Sequence, residues 1–299
     1  MSDISNASVA GAVSGRTERS VLEFRLGSYN LRMEHLDTDD DNRWRARRPR
    51  LMESIRRQLF DVAGLQEVNS MMQADLEEEF GKIYTFWFFS PYSQDGVGDK
   101  AHGIMFRSSE YLISDKRFFW ASDTPDVCSV TDIGPKGNYR RGGCCAVLTH
   151  ISSGVRFFLM CTHACYNDSP NARYASVYRA MESRYNPERL PSFLVGDMNA
   201  DPGSEASQAY RNYWNDSFLM AHGASRTGLQ NTYNGYEYPS GSNRIDYIYF
   251  RGEGIEVKSY GCDGSLYDRR FASDHFPITA DIRIARDAES GAGRSSVQE

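Results

Sequence analysis

Cys144-Cys145-Ala146-Val147-Leu148-Thr149-His150 and Val155-Arg156-Phe157-Phe158-Leu159-Met160-Cys161-Thr162 are two runs of strand length, separated only by residues 151–154. Their apolar, β-branched and aromatic content predicts two consecutive strands. Stretches 83–89, 102–106 and 111–120 have the same character, so five strands are predicted in succession with no helix among them. A doubly wound parallel sheet needs a crossover helix between successive strands, and this run argues against one. Working outward, 21–31 alternates with Leu22, Phe24 and Leu26 on one face, while Leu51, Ile55 and Leu59 recur at helical spacing. A short apolar run at 61–68, helices at 71–80, 171–185 and 205–213, a buried strand at 192–196 and strands at 244–250, 254–260 and 275–284 complete the pattern. The expectation is an α/β (α+β) chain of mixed sheets covered by helices.

The 299 residues are 40% hydrophobic and 13% aromatic, which excludes disorder, collagen-like repeats and coiled coil as the main architecture. Residues 1–20 and 286–299 are poor in large apolar side chains and are expected to be disordered tails around one domain at 21–285. With 34 basic against 40 acidic residues the formal charge is −6, so the mean field does not draw the protein onto nucleic acid or an anionic membrane. Residues 1–20 hold no signal-like apolar run, and no later stretch is long enough to span a membrane. Six scattered cysteines complete the expectation of a cytoplasmic protein with reduced thiols. Cys161 and Cys165 flank His163, and inert thiols are expected there rather than a metal cluster.

Chemistry is concentrated where predicted strands end. Asn30 closes the first, Glu67 the second, and 193–196 runs into Asp197, Met198 and Asn199. Asp246 lies among apolar neighbours, and Asp274 and His275 stand at the mouth of the last strand. Any one of these alone reads as a turn residue or helix cap. Five such positions together make an oxygen-rich set suited to a hard cation, Mg²⁺ or Mn²⁺, and one histidine beside an aspartate does not make a zinc site.

The strings Tyr29-Asn30, Leu65-Gln66-Glu67, Thr162-His163, Gly196-Asp197-Met198-Asn199, Arg244-Ile245-Asp246-Tyr247-Ile248 and Ser273-Asp274-His275 occur in an order that resembles the endonuclease/exonuclease/phosphatase superfamily. These are the DNase I-like metal-dependent phosphohydrolases, and the resemblance spans about 22–284. It implies a four-layer αββα sandwich of two mixed, mostly antiparallel sheets flanked by helices. It also implies cleavage of a phosphoester by in-line attack of an activated water, with Mg²⁺ or Mn²⁺ as cofactor.

Carried over by position, the resemblance makes Glu67 the principal metal ligand, with Asn30 and Asp274 completing or supporting that site. Asp197 orients or deprotonates the water, Asn199 and His163 hold phosphate oxygens, and Asp246 pairs with His275. Whether Asp197 or the Asp246–His275 pair is the base stays open. Arg141 matches a phosphate-facing arginine, with Arg140 as its rival. Trp44 and Arg47, inside the basic stretch 43–50, match a substrate-side tryptophan and arginine; a solvated helix start with Pro49 in its first turn is the plain alternative. The sequence departs from the pattern at 98–103, where Asp99 stands in for the family's glutamate or His102 takes another role. The expected substrate is a nucleic acid or a small phosphorylated metabolite. The rival reading is a catalytically inactive relative acting as a binding or scaffold module.

Overall fold

The computed structural model describes residues 19–33, 39–134, 137–221, 225–239 and 243–287. The chain begins with β1 (Arg19–Asn30), α1 (Trp44–Gln58), β2 (Val62–Val68), α2 (Ser70–Phe80), β3 (Tyr84–Phe89) and β4 (Ala101–Arg107). Then come β5 (Tyr111–Trp120), β6 (Asp132–Gly134), β7 (Gly137–Tyr139), β8 (Gly142–His150), β9 (Arg156–His163) and α3 (Asp168–Tyr185). The last third holds β10 (Ser192–Asp197), α4 (Glu205–Arg211), β11 (Asn215–Asp216), α5 (Ser217–Met220) and β12 (Arg226–Gly228). It closes with β13 (Asp246–Arg251), β14 (Ile255–Cys262) and β15 (Ile278–Asp287).

These strands form a seven-stranded sheet, β12-β14-β15-β1-β2-β4-β3, and a six-stranded sheet, β11-β13-β10-β9-β8-β5. Both are mixed. Only β1/β2 and β12/β14 in the first, and β9/β10 in the second, run parallel. The two sheets face one another across a layer built by alternate residues: Leu22, Phe24 and Leu26 from β1 meet Phe157, Leu159 and Cys161 from β9. The intervening residues of β9, Phe158 and Met160, point the other way onto Tyr174, Tyr178 and Met181 of α3. Both faces of β9 are thus covered, which is why its sequence is a nearly unbroken apolar run. On the outer face of the other sheet, Ala63, Leu65 and Met105 pack under Leu51 and Ile55 of α1 and Met72 and Leu76 of α2. The result is the expected four-layer sandwich, α on β on β on α.

Gly64 lets the sheets approach: a Cβ there would lie 2.5 Å from Val195 Cγ2 and 2.9 Å from Cys161 Sγ. Residues 1–18 and 288–299 of the expected tails lie outside the described residues. Strand pairing runs two residues beyond each expected domain limit, with Arg19 opposite Asp287 and Ser20 opposite Arg286. Helix α1 starts at Trp44, so Pro49 sits well inside it and not in its first turn. The proline costs one i→i−4 hydrogen bond there, and packing of the flanking Leu51 and Met52 in the core holds the helix through it. The described residues include no helix long and apolar enough to cross a membrane.

Candidate active site

Strand register assembles the site. Asn30 and Glu67 lie at the carboxyl ends of the parallel neighbours β1 and β2, and His163 pairs with Asp197 at the carboxyl ends of parallel β9 and β10. Asp246 opens β13, which is antiparallel to β10, so it stands directly opposite Asp197. Ser273-Asp274-His275 leads into β15, the antiparallel neighbour of β1. Strand ends and strand starts therefore converge on one end of both sheets.

Local backbone strain aims these groups. The β2/β4 ladder breaks between Leu65 and Val68, and Glu67 sits in that irregularity at φ 59°. Arg32 and Asn199 are also left-handed, at φ 56° and 46°. Such conformations cost on the order of 1–3 kcal/mol each and persist where the surroundings over-determine them. Asp246 is held by Thr232, whose Oγ1 accepts from the Asp246 N–H at 3.0 Å and from the Ile245 N–H at 2.9 Å. Below it Arg244 makes a buried fork to Asp216, at 3.1 and 2.8 Å, which fixes the start of β13.

Asp197 is the hub. Its Oδ2 accepts from Asn30 Nδ2 at 3.0 Å and lies 3.4 Å from His163 Nε2 and 3.7 Å from His275 Nε2. Its Oδ1 accepts the backbone N–H of Asn199 at 2.9 Å. The other ring nitrogen of His275, Nδ1, is 2.8 Å from Asp246 Oδ2. Burial and the Asp246 charge raise the Asp197 carboxyl to about 7 against the pull of His275. Burial opposes charging of His275, but Asp246 and Asp197 outweigh it and lift the imidazole to about 10. His163, buried and facing Arg141, is held well below its ordinary value.

Glu67 and Asp274 form the second centre. Glu67 accepts from Asn30 Nδ2 at 3.4 Å and from the Met33 N–H at 3.1 Å, and Arg32 Nη1 lies 3.2 Å from Asp274 Oδ2. Burial works against the Glu67 carboxylate, yet Arg32, the Met33 N–H and His275 hold it below the ordinary range. Asp274 is raised by burial and by Glu67, against His275 and Arg32. Two hard carboxylates that repel one another beside the Arg32 guanidinium are a donor set that fits a divalent cation. Asp197, Asp246 and His275 also place ligand-type atoms within 4.8 Å of one another. The Asn30 oxygen accepts the Arg32 N–H at 3.0 Å and its NH₂ faces the carboxylates, so the amide braces Glu67 and Asp197 from the donor side.

A family model for the endonuclease/exonuclease/phosphatase family matches residues 27–275. The chain belongs to the endonuclease/exonuclease/phosphatase family. Membership makes it a hydrolase of phosphoester bonds. Among solved structures, a Bacteroides thetaiotaomicron member of this family is 24% identical with a TM-score of 0.79, over 88% of this chain and 98% of that one. A mannosyl-6-phosphatase from the same species is 25% identical with a TM-score of 0.74, over 87% and 99%. D. rerio TDP2 complexed with single strand DNA product is 19% identical with a TM-score of 0.64, over 87% and 98%. No curated protein sequence matches the chain.

Against the family pattern, two expectations need correction. Trp44 and Arg47 are not substrate-facing: they are 1% and 0% exposed. The Trp44 indole donates to Asp75 at 2.6 Å. The Arg47 guanidinium donates to the carbonyls of Asn42 (2.9 Å), Leu31 (2.6 Å), Ala272 (3.3 Å) and Arg32. A guanidinium has five donors in a fixed fork, and here they tie the segment after β1 to the segment before Ser273. Much of the remaining stretch 43–50 is also engaged, with Arg48 paired to Asp75 and Glu78 and Arg50 donating to the Asp41 carbonyl.

Arg141 has the stronger link to the site: its charge acts on Glu67, His163 and His102, whereas Arg140 leans over Tyr92 at 5.9 Å. Asn199 directs its Nδ2 to the Ala164 carbonyl at 3.2 Å. At the departure from the pattern, Asp99 accepts from the Ser70 N–H and hydroxyl at 2.8 and 2.9 Å. His102 is 1% exposed, and burial followed by the Arg141 charge lowers it to about 3. Cys161 lies in the inter-sheet core and Cys165, beyond the end of β9, in the core under the helices, and burial pushes the Cys165 thiol up to about 12. His35 and His222 lie outside the described residues. Arg32 was not singled out from sequence; its one signal is its place two residues beyond Asn30.

Proposed function

We propose that this chain is a Mg²⁺-dependent hydrolase of small phosphoesters. The observation that carries the proposal is the buried chain Asp246–His275–Asp197 set beside the Glu67/Asp274 carboxylates. Glu67 and Asp274 would hold a divalent cation, which would supply a Lewis acid there.

The remaining roles follow from the residues. With Asp246 on Nδ1 at 2.8 Å, His275 is an imidazolium at neutral pH and presents an Nε2 proton to the reacting phosphate. That favours Asp197 over it as the base. Asp197, raised to about 7 and aimed by Asn30 and the Asn199 N–H, accepts the proton of the attacking water. Neutral His163 and cationic Arg141 hold phosphate oxygens.

A small substrate is favoured over a polynucleotide because Arg47 and Arg50 of the basic stretch are buried inside the protein, Arg48 is paired with Asp75 and Glu78, and the net charge is −6. The mannosyl-6-phosphatase likeness points the same way. Magnesium titration of wild type and Glu67→Gln on a sugar phosphate tests the metal assignment. Saturation at micromolar to millimolar Mg²⁺ in wild type and a rise of about tenfold or more in the half-saturating concentration in the variant is the expected result. Identical titrations would remove Glu67 from the metal site.

A further inference from the structure

Three cations line the rim of the site without carboxylate partners. Arg48, Arg107 and Arg244 each face an aspartate within 3.2 Å. Among the described residues Lys100, Arg140 and Arg141 have no such ion pair, and the Nε atoms of both arginines are buried with no hydrogen-bond partner. Lys100 is exposed and the two arginines are half-buried, so an anion at this rim would find accessible cations and would give the buried Nε donors an acceptor.

The three do not form one cluster. Arg141 rests on Tyr139 at 5.1 Å and acts on His163 and Glu67. Arg140 Cζ and Lys100 Nζ both approach Tyr92, at 5.9 and 4.5 Å from its ring. The Tyr92 loop is anchored rather than loose. Ser90 Oγ donates to the Asp99 carbonyl at 2.6 Å and accepts from the Tyr92 N–H at 3.3 Å, and Trp120 Nε1 donates to the Pro91 carbonyl at 2.8 Å. A pocket of about 250 Å³ opens there, lined by Ser90, Tyr92, Ser93, Gly98, Asp99 and Lys100 among others. Asp99 Oδ1 is held by Ser70. Lys100 immediately precedes β4, whose Ala101 pairs with Val68, and Arg140 and Arg141 immediately precede β8, whose Gly142 pairs with His163, so all three cations stand at the end of the sheets that carries the site.

We propose that Lys100 and Arg140, both close to the Tyr92 ring, bind a second acidic group of the substrate. The preferred ester is then a small molecule carrying the scissile phosphate at Arg141 and a further phosphate or carboxylate at the Lys100–Arg140 pair. This rests on the phosphoester-hydrolase reading above. The pocket and the two cations suit one compact anion better than a polynucleotide, for which a longer basic track is needed.

The test compares glucose 6-phosphate, glucose 1,6-bisphosphate, 6-phosphogluconate and a single-stranded oligonucleotide as substrates of wild type and of the Lys100→Gln/Arg140→Gln double variant. The expected result is a higher kcat/KM for the two diacidic esters. The double variant lowers it by about tenfold or more, mainly through KM, while glucose 6-phosphate stays within about twofold. Preference for the bisphosphate over 6-phosphogluconate would assign the pocket to phosphate, and the reverse to carboxylate. Equal loss on all substrates, or a salt-sensitive preference for the oligonucleotide, would overturn the proposal. Calorimetric binding of the sugar esters to Asp197→Asn separates the two readings. If no ester is hydrolysed but diacidic esters bind more tightly through Lys100 and Arg140, the rim assignment stands and the hydrolase reading falls. If that binding preference is absent too, the rim assignment falls with it.

Discussion

Replacing Arg47 with Met removes a buried guanidinium while keeping most of its aliphatic stem, and the structure fixes what is lost. Four backbone carbonyls, of Leu31, Arg32, Asn42 and Ala272, lose their donor together. A buried acceptor left unsatisfied costs about 1–3 kcal/mol, and relief of the guanidinium's own desolvation returns part of the sum. A net destabilisation of about 3–5 kcal/mol is therefore expected, a large share of a typical domain's stability. Because Arg47 ties the Arg32 segment to the one leading into Asp274 and His275, kcat should fall in the protein that remains folded. Urea unfolding with parallel steady-state kinetics reads both effects. An unchanged urea midpoint with a raised KM would refute the reasoning and return Arg47 to the substrate lip.

Asp246→Asn removes the carboxylate 2.8 Å from His275 Nδ1, so the imidazole should lose its charge well below its present value of about 10. The alkaline limb of kcat/KM then moves to lower pH and kcat falls by about 10²–10⁴; an unshifted limb would contradict the pairing. His102 is buried and lowered to about 3, below the roughly 6.5 of an unfolded chain. Its contribution is complete above pH 6.5 and is lost as pH falls toward 3, which is about 2 kcal/mol between pH 7 and pH 5. His102→Gln should lose that part of the acid sensitivity in denaturant unfolding, and an identical pH slope would be inconsistent with a buried neutral ring. Gly64→Ala puts a Cβ 2.5 Å from Val195 Cγ2, so thermal unfolding should show a loss of about 1–3 kcal/mol, whereas wild-type stability would deny the close approach of the sheets.

The sandwich was legible because its central strands are covered on both faces. The 144–162 runs read as buried strands for that reason, and the observed β8 and β9 begin and end within two residues of them. The catalytic-end residues were legible because they stand where strands stop, and strand register brings Asp197, His163 and Asp246 side by side. Side-chain direction was not legible. Trp44 and Arg47 lie in a basic, polar stretch that looks solvated, but helix α1 begins early enough to turn both onto the core. Arg32 and Lys100 owe their positions to left-handed backbone that residue type does not announce. The shortest elements, β6, β7, β11, β12 and α5, have too few residues to show a period.

The proposed site sets Asp197 as base beside a divalent cation at Glu67 and Asp274. Its most direct test is hydrolysis of a sugar phosphate by wild type and Asp197→Asn, with Mg²⁺, with EDTA, and with Mg²⁺ restored. Wild-type turnover is expected to vanish in EDTA and return with Mg²⁺, and a folded Asp197→Asn enzyme to be slower by about 10² or more. Turnover that survives EDTA, or an Asp197→Asn enzyme as fast as wild type, would contradict it.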